Sequence, residues 1–374
     1  MIACDQFTSQ PEYWHKVEEI AGDLPSAYRL ILPEALLSTA GQDTITRINS
    51  AMNDYLSRNI FTEYRNAYIY VERTLLDGSI RRGIVGAVDL EEYDYHEGTA
   101  TRIRATEETV KERIPMRRAI RENASLDLSH VILLADDERR ELIEPLTALK
   151  DNMKKLYDFE LMLGGGNIKG WLVDGENLRA FDERMKRYID RKKEELSLTF
   201  AVGDGNHSLA AAKACYYGNP RARYAMVELE NIYDDAIKFE PIHRLVKAVN
   251  PDEFISVLRN DICVSSGAWP MKYYSRDNEG TIYIDDSKGA SPLIVLQNYL
   301  DAKGCELDYI HDEDTLRTLS RSAGCVGLEL TPFDDNAKRN FFRAISQSGT
   351  LPRKAFSMGH AQEKRYYLEA RRIQ

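Results

Sequence analysis

The segment Thr199-Phe-Ala-Val-Gly-Asp-Gly-Asn-His-Ser-Leu-Ala-Ala-Ala-Lys213 sets the architecture of this chain. Residues 198–202 form a short apolar run with β-branched and aromatic side chains, which favours a strand. Leu209 and the alanines after it favour a helix. Between the two, Gly203 and Gly205 allow a tight turn and a close backbone approach to a ligand. A strand entering a helix through such a turn belongs to a layered protein that mixes sheets and helices. The turn also carries chemistry. A helix start presents N–H groups and the positive end of the helix dipole, so Gly203, Gly205, Asn206 and Ser208 suit a phosphate or carboxylate. Asp204 is a candidate Mg²⁺ ligand or general base, and His207 a candidate donor to a phosphate oxygen or a proton shuttle. The same residues also fit a plain strand-to-helix turn with Asp204 or Asn206 as its cap.

Outward from the turn, helical and extended patterns alternate. Helices are expected over 11–21, 42–59, 138–150 and 177–196, and a helix over 105–123 that Pro115 breaks or kinks. Asp77-Gly78 and Gly164-Gly165-Gly166-Asn167 each sit between two extended runs and read as hairpin turns. Segments 28–32 and 365–368 read as extended. The pattern restarts after Val249. The expected division is therefore 1–249, carrying the turn, and 250–374, an α/β domain that lends its tail to the site. Hairpins among the alternating elements point to a mixed α/β or α+β fold, not a pure parallel sheet.

The composition excludes several classes. The chain has 374 residues, 43% hydrophobic and 29% charged, which is ordinary for a globular protein and not for a disordered or fibrous one. It has no apolar run of about 18 residues, so no membrane-spanning helix is expected. Met1-Ile-Ala-Cys-Asp-Gln6 has no basic segment ahead of an apolar one, so no secretory signal is expected. Lys and Arg number 50 against 60 Asp and Glu, a net charge of −10, which argues against general nucleic-acid binding. Basic clusters at 113–121, 184–193 and 364–372 read as solvated faces. Cys4, Cys215, Cys263, Cys305 and Cys325 are scattered and form no C-x-x-C, which fits a reducing cytoplasm.

Three further constellations could carry chemistry. The first is Tyr93-Asp-Tyr-His96-Glu97-Gly98-Thr99 followed by Arg102 and Arg104, whose alternation puts both arginines on one side of an extended segment, as a phosphate or carboxylate clamp requires. The second is Ile242-His243-Arg244, after a Pro-containing turn. The third is Leu351-Pro-Arg-Lys354. Each also reads as paired or capping surface charge. No histidine pair has the spacing of a zinc helix. Gly203-x-Gly205-x-x-Ser208, with Glu228 or Glu230 about 20 residues on, approaches the dinucleotide fingerprint, which leaves an NAD-linked enzyme as an alternative. P-loop, nucleophile-elbow and kinase signatures are missing.

Six segments in order resemble one family over nearly the whole chain. They are Cys4-Asp5-Gln6-Phe7-Thr8-Ser9, Arg29-Leu-Ile-Leu-Pro33-Glu34, Tyr93-Asp-Tyr-His96-Glu97-x-Thr99, Asp204-Gly205-Asn206-His207, Ile242-His243-Arg244 and Leu351-Pro-Arg-Lys354. The family is the prokaryotic domain of unknown function numbered one thousand and fifteen. It is similar to the ParB and sulfiredoxin superfamily, in which a short turn at a helix start holds nucleotide phosphates, and one branch resembles an ADP-dependent kinase of free serine. The resemblance implies a nucleotide-phosphate role for Gly203–Ser208. The family's turn reads Asp-Gly-His-His-Arg. Here Asn206 and Ser208 replace the first His and the Arg, which removes a cation.

The expected function is a cytoplasmic, nucleotide-binding phosphotransferase acting on a small metabolite such as an amino acid. ADP or ATP with Mg²⁺ would be the cofactor, with Asp204 as the metal ligand. Asp204 and His207 would be catalytic, with Glu97 and Asp5 as further candidates for the general base. Gly203, Gly205, Asn206, Ser208, His96, Arg102, Arg104, His243, Arg244 and Lys354 would bind the nucleotide. The alternative is a non-catalytic nucleotide or anion sensor. Neither nucleic acid nor membrane is an expected partner, and an oligomer is left open.

Overall fold

The computed structural model describes all residues except 1–10, 38–39, 97, 108, 110, 268, 286–291, 332–334, 352–353, 355, 360–362 and 374. The chain forms two compact units, one of residues 1–237 with 359–374 and the other of Lys238–Met358. The expected division at 249 is thus displaced: residues 239–247 join the second unit, and the end of the chain returns to the first.

In the first unit the helices are α1 (Pro11–Ala21), α2 (Gln42–Ser57), α3 (Ile114–Glu122), α4 (Pro145–Leu149), α5 (Gly175–Glu195) and α6 (Asn206–Gly218). The strands are β1 (Tyr68–Thr74), β2 (Ile80–Asp89), β3 (Tyr93–Asp94), β4 (Ile103–Ala105), β5 (Leu126–Asp127), β6 (Ile132–Ala135), β7 (Lys155–Glu160), β8 (Asn167–Val173), β9 (Phe200–Asp204) and β10 (Tyr224–Asn231). Nine of them form one sheet in the order β3-β4-β9-β6-β10-β2-β1-β8-β7. The two hairpins read from their glycine turns are present, as β1–β2 and β7–β8. Gly166 is required in the second, because its φ is +77° and a Cβ there would collide with the Thr74 carbonyl oxygen. Pro115 does not kink a long helix. It lies in the first turn of α3, where its missing N–H has no intrahelical partner to lose. Segment 28–32 is not a strand, since Ala27–Leu30 is a 3₁₀ turn capped by Ser26.

Strand alternation divides the packing of the sheet. Tyr70, Trp171, Val227 and Leu133 face one side with Phe181 and Tyr188 of α5. Val71, Ile168 and Met226 face the other side with Trp14 and Val17 of α1 and with Tyr366 and Tyr367 from the end of the chain. Full burial of each large apolar side chain contributes roughly 1.5–3 kcal/mol.

The second unit holds α7 (Pro251–Ile262), α8 (Pro292–Ala302), α9 (Glu313–Ser320) and α10 (Asp335–Ser348). Its strands are β11 (Phe239–Pro241), β12 (His243–Lys247), β13 (Cys263–Val264), β14 (Pro270–Tyr274), β15 (Glu279–Ile284), β16 (Glu306–Ile310), β17 (Val326–Glu329) and β18 (Phe356–Met358). Six form an antiparallel sheet in the order β13-β15-β14-β17-β12-β16, and β11 pairs with β18. A last strand, β19 (Arg371–Arg372), pairs with β5 in the first unit. Segment 365–368 is not a strand. The fold class is mixed α+β, and among the described residues no helix is long and apolar enough to cross a membrane.

Candidate functional site

Strands β3, β4 and β9 are parallel neighbours, so their C-terminal ends lie on one edge of the sheet. That edge collects the loop after Asp94, the segment after Ala105 and the turn after Gly203. It is the side on which parallel α/β sheets place ligands. Thr106 ties the second segment to the turn's strand, its Oγ1 donating to the Val202 carbonyl at 2.7 Å.

The turn itself is fixed by Gly205. Its φ of +86° lies in the left-handed region, and a Cβ would sit 2.9 Å from Val131 Cγ2 and 3.0 Å from Val131 Cα. Asp204 Oδ1 accepts the Gly205 N–H at 3.0 Å. Asn206 and His207 open α6, whose first N–H groups have no carbonyl partner within the helix. Buried Leu209 and Ala212 anchor the helix against the sheet. Asp204, Asn206, His207 and Ser208 stay half-buried. Asn206 Oδ1 is shut off from water and accepts no hydrogen bond among the described residues. Ser208 lines a cavity of about 120 Å³ with Ser129, Val131 and Tyr367.

A cation stands beside this turn that the sequence reading missed. Lys364 Nζ lies 3.9 Å from Asp204 Oδ2, and its side chain is only 8% exposed. The 364–372 cluster is therefore not a solvated face. Residues 363–369 run across the sheet as a strap, held by Arg73, which donates to the carbonyls of Gly165, Glu363 and Lys364, and by Arg81, which donates to the Glu363 carbonyl. Arg365 is fully buried between Glu228 at 3.2 Å and Glu369 at 2.9 Å. Arg81 pairs with Glu230 at 2.9 Å. Burial pushes the Glu230 carboxyl up to about 8, with Arg81 pulling the other way and Glu228 adding to the rise. The signal available in sequence was Tyr366-Tyr367-Leu368, an apolar run inside the charges.

The other candidates separate. His96 lies in the loop at the same edge as the turn, with Nδ1 2.7 Å from Asp94 Oδ1 and its ring stacked on Tyr95 at 4.4 Å. Tyr95 in turn packs against α6. Arg102 and Arg104 are not brought to the turn. Ile103 pairs with Phe200, so Arg102 sits at the opposite end of the strands, 3.4 Å from Glu92. Arg104 is buried, donating to the Thr101 carbonyl at 2.8 Å and pointing back toward Ser197. His243, Arg244 and Lys354 belong to the second unit. His243 and Arg244 are buried in β12, and Lys354 is exposed, with its carbonyl accepting from Arg244. Asp5 and Glu97 lie outside the described residues.

The dinucleotide reading is overturned by topology. A dinucleotide fold needs parallel strands on either side of its helix. Here β6 is antiparallel to β9 and parallel to β10, so the strands flanking α6 run in opposite directions. Glu228 and Glu230 are committed to Arg365 and Arg81. Among the described residues no group of three or more His, Cys, Asp or Glu is placed to hold a metal ion. One carboxylate at Asp204 is still compatible with Mg²⁺, which commonly uses one or two carboxylates together with substrate phosphates.

The sequence matches the profile of the family described as Protein of unknown function (DUF1015) over residues 1–372. No curated protein matches. Solved structures similar to the chain include SbnI with C-terminal truncation from Staphylococcus aureus, 11% identical, covering 76% of this chain and 85% of that one at a TM-score of 0.40. A conserved hypothetical protein from Pyrococcus furiosus is 10% identical, covering 78% and 95% at 0.35. A free serine kinase in complex with AMP is 10% identical, covering 78% and 91% at 0.38.

Proposed function

The chain belongs to the DUF1015 family, and we propose that it is a nucleotide-binding phosphotransferase acting on a small metabolite, with amino acids such as serine as the first class to test. The observation that carries the reading is the buried Lys364 ammonium 3.9 Å from Asp204, beside the first turn of α6. Phosphoryl transfer asks a protein mainly for positioning and charge neutralisation. The helix start supplies N–H donors to phosphate oxygens, and Lys364 supplies a positive charge where Ser208 replaces the family's arginine. His207 donates to a phosphate oxygen. Asp204 would hold Mg²⁺, which would supply neutralising positive charge for the phosphates, or would take the proton of the acceptor hydroxyl. A cytoplasmic setting accords with Cys215, Cys263, Cys305 and Cys325, all free thiols.

The test is isothermal titration with ADP, ATP and CTP in the presence of Mg²⁺, on wild type and Asp204→Asn. The Asn variant keeps an acceptor for the Gly205 N–H but loses the charge. Its expected cost is about tenfold in affinity, the size of one charge-assisted hydrogen bond. Heat from none of the three nucleotides sinks the reading. Ser208 in the arginine position favours a second reading, a non-catalytic nucleotide or anion sensor. Binding without turnover across a panel of amino-acid acceptors identifies it.

A further inference from the structure

We infer that the cleft between α5 and residues 137–145 is a second anion site, built for a small ligand carrying a doubly charged phosphate group. The cleft encloses about 530 Å³, within the size range of small-molecule sites. Its charged lining is Arg139, Arg140, Arg184, Arg187 and Arg191 against Asp137 and Glu141, an excess of three positive charges in a protein of net charge −10. Arg184, Arg187 and Arg191 follow one another at helical spacing on one face of α5, where like charges repel.

The arginines differ in how that repulsion is relieved. Arg191 is held by Asp137 at 3.1 Å and Glu141 at 3.0 Å. Arg140 is held by Asp235 at 2.6 Å and by the Tyr233 carbonyl at 2.7 Å. Arg184 has no carboxylate partner among the described residues: its guanidinium lies 5.9 Å from the Phe181 ring centroid, and Nε and Nη2 are shut off from water and donate no hydrogen bond. Burial, and Arg187 beside it, push its guanidinium pKa down. Leaving charged donors buried and unpaired is costly. A phosphate in the cleft offsets the excess positive charge that Arg184, Arg187 and Arg139 place there.

The position separates this cleft from the Gly203–Ser208 turn. β6 starts beside Asp204 and ends beside Phe200, and Asp137 follows its end. The cleft is therefore at the opposite end of the strands from the turn. A nucleic-acid duplex would need a broad basic face, which a single concave cleft on an acidic protein does not offer.

Isothermal titration of the intact protein with inorganic pyrophosphate and with glucose 6-phosphate at low ionic strength tests the site, using wild type, Arg184→Met and Asp204→Asn. Saturable binding is expected for at least one probe. The binding phase that weakens by about tenfold or more in Arg184→Met, through the loss of one positive charge, should keep its wild-type affinity in Asp204→Asn. Binding of pyrophosphate alone points to a free inorganic ligand, and binding of the sugar phosphate to a phosphate ester. Arg184→Met should also melt no lower than wild type, since it removes an unpaired buried charge. If that variant does not fold, Arg187→Gln serves in its place. The site is refuted if neither probe saturates, if both arginine variants bind as wild type, or if duplex RNA binds in an Arg184-dependent way where neither small phosphate does.

Discussion

Two histidine motifs stand out in this sequence, Asp204-Gly205-Asn206-His207 and Ile242-His243-Arg244, and the fold treats them in opposite ways. The first ends a strand and opens a helix, so its polar groups sit half-buried at a sheet edge. The second lies in β12, inside a sheet, and the unit around it takes up most of its polar groups. Arg244 Nε donates to Gln297 Oε1 at 2.9 Å, Nη1 donates to the carbonyls of Ile242 and Lys354, and the guanidinium lies 4.6 Å from the Tyr309 ring centroid. His243 Nδ1 accepts the Leu330 N–H at 3.1 Å. A polar motif at a strand end keeps donors and acceptors for a ligand, whereas the same residue types within a strand organise a core.

The largest expected effect tests the second half of this contrast. Arg244→Leu strands the Gln297 side chain and two backbone carbonyls in a buried place. It should destabilise the second unit by about 3 kcal/mol, the scale of several lost partners. Urea unfolding followed by tryptophan fluorescence and circular dichroism measures it. A loss below about 0.5 kcal/mol, the level of a neutral surface change, would break the contrast.

A smaller effect is expected at the turn. Gly205→Val forces a β-branched residue into the left-handed region and against Val131. Strain of this kind costs about 1–3 kcal/mol. Because Gly205 also aims the start of α6, nucleotide affinity should fall beyond what the lost stability explains. Titration below the melting transition separates the two losses. Unchanged affinity in a folded variant would mean that the backbone of the turn does not bind the ligand.

The contrast also explains which parts were legible in the sequence. Local signals were read correctly where local physics decides them: the Asp77-Gly78 and Gly164–Asn167 hairpins, the 21-residue α5, and the strand–turn–helix around Gly205. Segment 28–32 was missed because Ser26 caps a 3₁₀ turn there, and an apolar run cannot by itself tell that turn from a strand. Arg102 and Arg104 were placed wrongly for a different reason. Alternation gives the side of a strand and not which end of the sheet a side chain reaches, and that end depends on β4 running parallel to β9. Lys364 lies 160 positions from Asp204, a pairing that nothing local encodes. The strap that delivers it is specified by Arg73 and Arg81, on strands near the other end of the chain.

The smallest expected effect is a pH dependence confined to the second motif. Burial lowers the His243 pKa below its ordinary 6.5, with Glu329 opposing the shift and Arg244 adding to it. The geometry agrees, since Nδ1 must be unprotonated to accept the Leu330 N–H. In the unfolded chain the imidazole titrates near its ordinary value, so between that value and the lower folded one the unfolded state binds the extra proton. The His243 contribution to stability is therefore complete above pH 6.5 and is lost as the pH falls below it toward the folded pKa. His243→Asn presents a carbonyl oxygen that accepts the Leu330 N–H at any pH, so its stability curve should be flatter than wild type across that window. Parallel wild-type and His243→Asn curves from pH 7.5 down to 5 would mean that His243 is not held neutral, and that the buried motif is less fully committed to its core than its hydrogen bonds indicate.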